Sequence, residues 1–458
     1  MEICAAFGIA IPAGGSFVHT IFKVILTGSS NTFRTCLRMK ILIQSATISD
    51  PGSPHHRKKK NVLVQNGRIV DIGAKKVPAD KVVEAEGMFL SGGWMDLGTF
   101  IGDPGLEHKE DLVSACNAAA AGGFTAMAML PNTVPAVQGK NEVNYITKGN
   151  DARLVQVYPI AAVTLKNAGE ELTEMIDLNA SGAVAFSDGL KPVWNTDILL
   201  KSLQYLQKFD GLLINHPEDI WLNMFGQMNE GKNSTILGLK GMPKIAEELA
   251  VSRDVELLGY AGGRLHFARL SSAKALDLVR AAKKKKLNLT CDIAAYQALL
   301  DDSLLEDFDT HYKVNPPLRE KANLAALVAA LKDGTIDVLA SGHLPQDVES
   351  KMLEFDHADF GMINLQTFAS QLAQLATQVD IHDLLAKVTS APRQLLKLPL
   401  PGIEKGAAAN LTLFDPREKW VFTEEANLSK SRNSPWLGKE VVGKAKAVFN
   451  NSKYWLDA

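Results

Sequence analysis

From Met39 onward the chain alternates apolar and polar residues through KILIQSATI, NVLVQNGRIVDIG and VVEAEGMFLSGG. A period of two predicts short strands with one covered face. The Asn-Gly pair between two of them predicts a hairpin turn. Residues 39–90 therefore read as a small β unit. From about residue 90 to 346 the pattern changes. Short apolar runs recur, each followed by a helical pattern: MFLSGGWMDL, FTAMAML, VQVYPIAAV, GAVAFSD, GLLINHPED, GRLHFARLS, LNLTCDIAA and DVLASGHLP. They are rich in Val, Ile, Leu and Ala and do not alternate strictly, as parallel strands covered on both faces do not. Helix EHKEDLVSACNAAAAGG stops on glycine, and SSAKALDLVRAAKKKK carries serine at its cap. This α/β pattern of repeated strand-then-helix units predicts a (β/α)8 TIM barrel. An open doubly wound sheet is the alternative, but it does not need eight evenly spaced units. Two amphipathic helices are expected near 362–376 and 380–396. GAAANLTLFDP and VVGKAKAVFNNSKYW then return to strand chemistry. The expected domains are thus a barrel over 91–398 and a small flanking β-sandwich built from 39–90 and 399–458.

Composition narrows the function. A formal net charge of −2 favours neither nucleic acid nor an anionic membrane as partner. The lysine runs HHRKKKN (55–61) and AAKKKKLN (281–288) read as a hairpin tip and a helix end, both solvated. Four cysteines occur without a CxxC or other metal spacing, which suits a reducing, cytoplasmic compartment. Residues 1–38 hold one acidic residue, Glu2, and two loosely apolar stretches, but lack the basic start of a secretory signal. They read as an extension or an early start, with Met39 as the native first residue. No stretch resembles a transmembrane span.

In a TIM barrel the chemistry sits at the C-terminal ends of the strands. Those ends carry Gly98, Phe100 and Gly102; Asn132; Ser187 and Asp188; Asn215, His216 and Glu218; His266 and Arg269; Asp292 and Tyr296; and Ser341, Gly342 and His343. A catalytic zinc needs at least three N, O or S ligands and an open position. Only Asp188, His216 and His343 are available for it. His266 precedes Arg269 by three residues, so on one strand the two face opposite sides. An arginine in the mouth is a permanent cation that repels a divalent metal. No GxSxG elbow or Cys–His pattern supports a nucleophile. The competing reading for each lone polar residue is structural; Asn132 and Asn315 in particular suit turns.

The same stretches carry a family likeness. DPGLEHKED, AAAAGGFTAMAMLPNTVPAV, AFSDGLKPV, LINHPED, VNPPLREK, LKDGTIDVLASGHLP and SKSRNSPWLGKEVVGK resemble dihydroorotase in register from about Met39 to the C-terminus. That amidohydrolase-superfamily enzyme reversibly closes carbamoyl aspartate into dihydroorotate. Hydantoinase and allantoinase are related, but GLEHKED and NPPLR fit dihydroorotase best. The resemblance implies pyrimidine biosynthesis and a zinc cofactor. At the chemistry the sequence departs from it. The family's His-x-His-x-Arg is Gly98, Phe100 and Gly102 here; a strand-six ligand histidine is Arg269; and the strand-eight aspartate is Gly342. The family's SDDG reads Ser187, Asp188, Gly189 and Leu190, and the substrate-loop motif near 358–366 is altered to ADFGMINLQ. His216 is retained. Asn132, Asn315 and His343 stand as the substrate-side residues.

Ring opening of a cyclic amide needs a metal-activated hydroxide and a proton carrier. The expectation is therefore a vestigial metal site at Gly98, Phe100, Asp188, His216, Arg269 and Gly342, with no bound metal and no catalytic residue. The resemblance implies a pseudoenzyme that scaffolds aspartate transcarbamoylase and forms a homo-oligomer. Two alternatives stay open: a cyclic-amide hydrolase rebuilt around Asp188, His216 and His343, and a structural oligomer outside pyrimidine synthesis.

Overall fold

A computed structural model describes residues 34–35, 39–73, 75 and 77–457. Apart from 34 and 35, the expected extension over 1–38 lies outside them. Eight strands form one parallel sheet: β1 (Trp94–Thr99), β2 (Phe124–Met129), β3 (Gln156–Ala161), β4 (Ala185–Phe186), β5 (Leu213–Asn215), β6 (Leu265–Phe267), β7 (Leu289–Ala294) and β8 (Val338–Ala340). Each strand pairs with the next in parallel. The ends of β8 and β1 meet through side chains as well as backbone. Asp96 Oδ1 accepts from Ser341 N at 2.6 Å, and its Oδ2 accepts from Ser341 Oγ at 2.7 Å. Phe100 N donates to His343 O at 3.1 Å. The result is a nearly closed barrel, as the repeating β-then-α pattern predicts.

Alternate residues of the strands point inward. Met95, Leu97, Ala126, Ala128, Ile160, Ala185, Ile214 and Val338 make an apolar barrel interior. Their neighbours, such as Phe124, Met127, Val157, Phe186, Phe267 and Ile293, pack outward against the helices. Burial on both faces explains why the runs lack clean alternation.

Local signals place the helices with some surprises. Helix α1 (Leu112–Gly122) starts on Asp111, which accepts from Val113 N and Ser114 N, and ends on Gly123 at φ 101°. Helix α2 (Ala273–Lys284) ends in lysines and has Ser272 at its N-cap as expected, but the serine side chain makes no capping bond. Its hydroxyl instead bonds Glu248, while buried Glu247 takes the backbone N–H groups of Ser271 and Ser272. The helix expected over 362–376 is shorter, Phe368–Leu375. Residues 362–365 are held out of the helix by bonds to Leu344, Asn433 and His343. The helix expected over 380–396 divides into Ile381–Val388 and Ser390–Leu395. Pro392 lacks the N–H that would continue it.

The flanking strands form one sheet that curls upon itself. Its order runs Lys453–Leu456, Glu440–Asn450, Asn410–Val421, Phe89–Gly92, Lys40–Ser49, Lys59–Gln65 and Arg68–Gly73, with Lys81–Glu84 also on Lys40–Ser49. The curl closes where Ala409 N donates to Gly67 O at 2.8 Å and Ile69 N to Ala407 O at 2.9 Å. Ile41, Ile43, Val62, Leu90, Leu411 and Phe449 fill it. The run MFLSGGWMDL serves both bodies, and Gly93 is the crossover. A Cβ there would lie 2.0 Å from Asn410 Oδ1, so the approach requires glycine. No helix of the described residues is long and apolar enough to cross a membrane.

Candidate functional site

The C-terminal mouth of the barrel divides into an apolar side and a polar side. On the apolar side stands Gly98, left-handed at φ +81°, where an added Cβ would touch only Leu130 at 3.6 Å. Phe100 is buried in the cluster that holds Leu130 and Leu344. Its ring supplies no metal donor and occupies the mouth with hydrocarbon. Gly342 takes φ +63°, and a Cβ there would lie 2.7 Å from both Ala294 Cβ and the Tyr296 ring. Tyr296 thus closes the place an aspartate side chain would need. Burial pushes its hydroxyl up to about 12. Gly102 is also closed, with Leu106 O 2.2 Å from any added Cβ. Beneath them Asp96 is fully buried, and burial raises its carboxyl against the hydrogen bonds of Thr99 and Ser341.

On the polar side Asp188 is buried and already occupied. Oδ1 accepts from Val163 N at 3.1 Å and Thr164 N at 2.9 Å, and Oδ2 accepts from Thr164 Oγ1 at 2.5 Å. Burial lifts its carboxyl to about 6 against those bonds. His216 follows β5, 2% exposed, with Nε2 3.2 Å from Glu218 Oε2. Its Nδ1 is buried without a partner. Burial works against the charge on Glu218, yet His216, Asn223 and Asn315 hold its carboxyl down at about 2. Arg269 lies just past β6 in the left-handed region at φ +56°, pinned by its own N–H to Asp292 Oδ1 at 2.7 Å.

The expected opposition of His266 and Arg269 does not hold, because Arg269 has left the strand. His266 points into the barrel, with Nε2 2.9 Å from Asp292 Oδ2 and Nδ1 2.8 Å from Thr290 Oγ1. Both residues therefore converge on Asp292.

The three substrate-side residues hold polypeptide. Asn132 donates to Asp188 O at 3.0 Å and accepts from Leu190 N at 2.9 Å, bracing the turn after β4. Asn315 donates to Glu218 Oε2 at 3.1 Å. His343 Nδ1 accepts from Asn364 N at 3.1 Å, while its Nε2 stands 3.5 Å from Glu110 Oε2 without a hydrogen bond. Glu110 is fully buried and also takes Ser114, Ser429 and Lys430 N. Reading by strand ends reached Glu218 and Tyr296 but not the contacts they make, and it missed Glu110. The register of GLEHKED and SKSRN is the one signal that could have joined Glu110 to Ser429.

Does this donor set fit a metal? Among the described residues no group of three or more His, Cys, Asp or Glu side chains could hold one. His216 Nδ1 is a free donor in the mouth. Asp188 is tied to Thr164, and Arg269 brings a positive charge where a ligand would stand. The residues do not fit the zinc that the resemblance implies.

Comparison with known proteins agrees with the fold. A family model described as Dihydro-orotase-like matches residues 87–275. Dihydroorotase from Trichlorobacter lovleyi is 38% identical over 421 residues, covering 91% of this chain and 99% of that protein. Dihydroorotase from Pelobacter propionicus is 38% identical over 416 residues, covering 90% and 98%. Among solved structures, L-hydantoinase (dihydropyrimidinase) from Arthrobacter aurescens superposes with a TM-score of 0.78 at 19% identity, covering 90% of this chain and 95% of that one. Dihydropyrimidinase from Brevibacillus agri gives 0.75 at 21%, covering 91% and 95%. The nearly closed barrel, the curled sheet beside it and the extent of these matches lead to one statement: the chain belongs to the dihydroorotase family of amidohydrolases.

Proposed function

We propose that this chain is a dihydroorotase-fold protein of pyrimidine biosynthesis that does not open or close the dihydroorotate ring. One observation carries the reading: Gly98, Phe100, Arg269 and Gly342 together leave the mouth without a metal-binding set, and Tyr296 fills the space at Gly342. Without a metal there is no activated hydroxide and no Lewis acid at the amide carbonyl. The barrel and sheet remain fully packed, which supports a role for the fold as a scaffold. The partner we propose is aspartate transcarbamoylase, in a cytoplasmic assembly of several copies of this chain.

The test uses the full chain. Dihydroorotate hydrolysis is assayed with added zinc, and bound metal is measured on the same sample. The expected result is negligible turnover and substoichiometric zinc; stoichiometric zinc with robust turnover overturns the reading. Co-purification with aspartate transcarbamoylase tests the scaffold role separately, and its absence favours a structural oligomer outside the pathway.

The His216–Glu218 pair favours a second reading, a rebuilt cyclic-amide hydrolase. Glu218 stays ionised and can hold the imidazole as a base whose Nδ1 faces no protein partner. If so, an activity found by substrate screening should vanish in His216→Ala.

A further inference from the structure

The face of the barrel opposite the mouth carries a cleft of about 700 Å³. It lies where the last three strands begin: Arg264 precedes β6, Asn288 precedes β7 and Asp337 precedes β8. Helices end around it at Lys332 and Leu395. Leu331, Ile336, Val338 and Leu395 give it apolar walls. A concave, partly apolar surface of this size suits a ligand.

Charge is arranged unevenly around the cleft. Arg264, Lys332 and Lys387 line it together with Asp333, Asp337 and Asp383. Two of the carboxylates are paired with cations from outside the lining, Asp333 with Arg280 at 3.0 Å and Asp337 with Lys283 at 2.6 Å. Among the described residues the three lining cations make no salt bridge. Arg264 donates to Asp210 O at 3.1 Å and to Leu395 O at 2.6 Å, and Lys387 Nζ donates to Ile336 O at 2.6 Å. Lys332 is exposed with its ammonium free. Burial pulls Arg264 and Lys387 below their ordinary values, against the weaker pull of Asp210 and Asp337. Beside Asn288, at the end of α2, Lys284, Lys285 and Lys286 add three exposed, unpaired cations. The dipole favours a cation at the end of each single helix. It does not account for Arg264, which lies before a strand, or for the convergence of several elements on one cleft whose acids are paired elsewhere.

We infer that this cleft docks an acidic segment of a partner protein, an extended stretch rich in Asp and Glu with apolar residues between them. The unpaired cations match its carboxylates, and the apolar walls match its hydrocarbon. A peptide also brings backbone N–H donors for Asp383, the one lining carboxylate left without a salt bridge. A phosphate backbone brings none, and the lining carboxylates repel it. The site lies on the face away from the mouth, so it stands whether or not the mouth opens a ring.

The experiment is fluorescence anisotropy of the full chain at about 0.1 M salt, where charges more than about 10 Å apart are screened. The probes are a labelled peptide of Asp and Glu interrupted by Leu, the same peptide with its acids changed to Lys, and a labelled DNA duplex. Saturable binding of the acidic peptide is expected, at least about tenfold tighter than either of the others. Lys332→Glu combined with Lys285→Glu should weaken it by about tenfold or more; both side chains are exposed and unpaired, so the fold is spared. Gln394→Trp fills the cleft from an exposed lining position without changing charge, and should weaken binding by a similar factor. Lys58→Glu, on the distant hairpin tip, should leave affinity within about twofold. No saturable binding of the acidic peptide overturns the inference, as does tighter binding of the duplex. Unchanged affinity in a folded Gln394→Trp, or an equal loss in Lys58→Glu, also overturns it, because the attraction is then general and not seated in the cleft. Should Gln394→Trp fail to fold, Ala386→Trp fills the same cleft, and the paired lysine reversal is decisive by itself.

Discussion

The two sides of the barrel mouth have changed in opposite ways. On the β8–β1 side, Phe100 joins an apolar cluster, Tyr296 closes over Gly342, and Asp96 clasps Ser341 below. This side is packed like a core. On the β4–β6 side Asp188, His216, Glu218 and Arg269 keep charge and polarity in nearly dry surroundings. On the proposed reading, a barrel mouth can lose its metal set without uniform decay. One side gained hydrocarbon, which stabilises the fold. The other kept charged groups, with Asp188 and Glu218 held in hydrogen bonds and an ion pair of their own.

The largest test of this contrast is Phe100→Ala. If the apolar side is core, truncating its buried ring should cost about 4 kcal/mol of unfolding free energy in urea titration. A cost below about 1 kcal/mol would mean the ring merely lies in an open mouth. Next comes Gly342→Asp, which forces a side chain into a left-handed position against Ala294 and Tyr296. A loss of roughly 3 kcal/mol is expected, and adding Tyr296→Ala should recover part of it. Neutral Gly342→Asp would show that the space is not closed.

The polar side is read by pH. Glu218 has a folded value of about 2, below its ordinary 4.5. The folded state therefore binds fewer protons, so its stabilisation is complete above 4.5 and is lost as pH falls toward 2. Asp188 runs the other way, from 3.8 up to about 6. The folded state binds more protons there, so stability is lost as pH rises from 3.8 through 6. Each effect is worth about 3 kcal/mol at most. Chemical denaturation across pH 2 to 7 should show Glu218→Gln removing the acid loss and Asp188→Asn removing the later decline. Matching profiles in both variants would sink the assignment. The smallest effect is Asn132→Ala, about 1 kcal/mol, because its amide braces only the 188–190 turn. An unchanged unfolding free energy would show that the turn holds without that amide.

Much of the mouth was legible one residue at a time. Gly98, Phe100, Arg269 and Gly342 cannot supply ligands wherever they stand, because residue type alone decides that. The strand runs and the hairpin turn at Asn66 and Gly67 were also legible, since local periodicity and turn chemistry set them. The non-helical stretch 362–365 was not. Its apolar spacing suits a helix, and only distant partners, His343 and Asn433, draw its backbone away. Nor was the orientation of His266, because strand alternation stops where Arg269 turns left-handed.

The sequence by itself determined the barrel, a flanking β unit from 39–90 and 399–458, and the presence of residues that cannot ligate a metal at positions 98, 100, 269 and 342, since these follow from periodicity, side-chain type and motif register. That the flanking unit is one curled sheet and not a sandwich was left to the tertiary structure. Only the tertiary structure decided that Tyr296 seals Gly342, that Asn132, Asn315 and His343 brace the chain, and that Arg269 turns left-handed beyond its strand with its N–H on Asp292. The reason is physical. Which groups satisfy one another depends on contacts between strand ends many residues apart, and those contacts exist only once the barrel has closed.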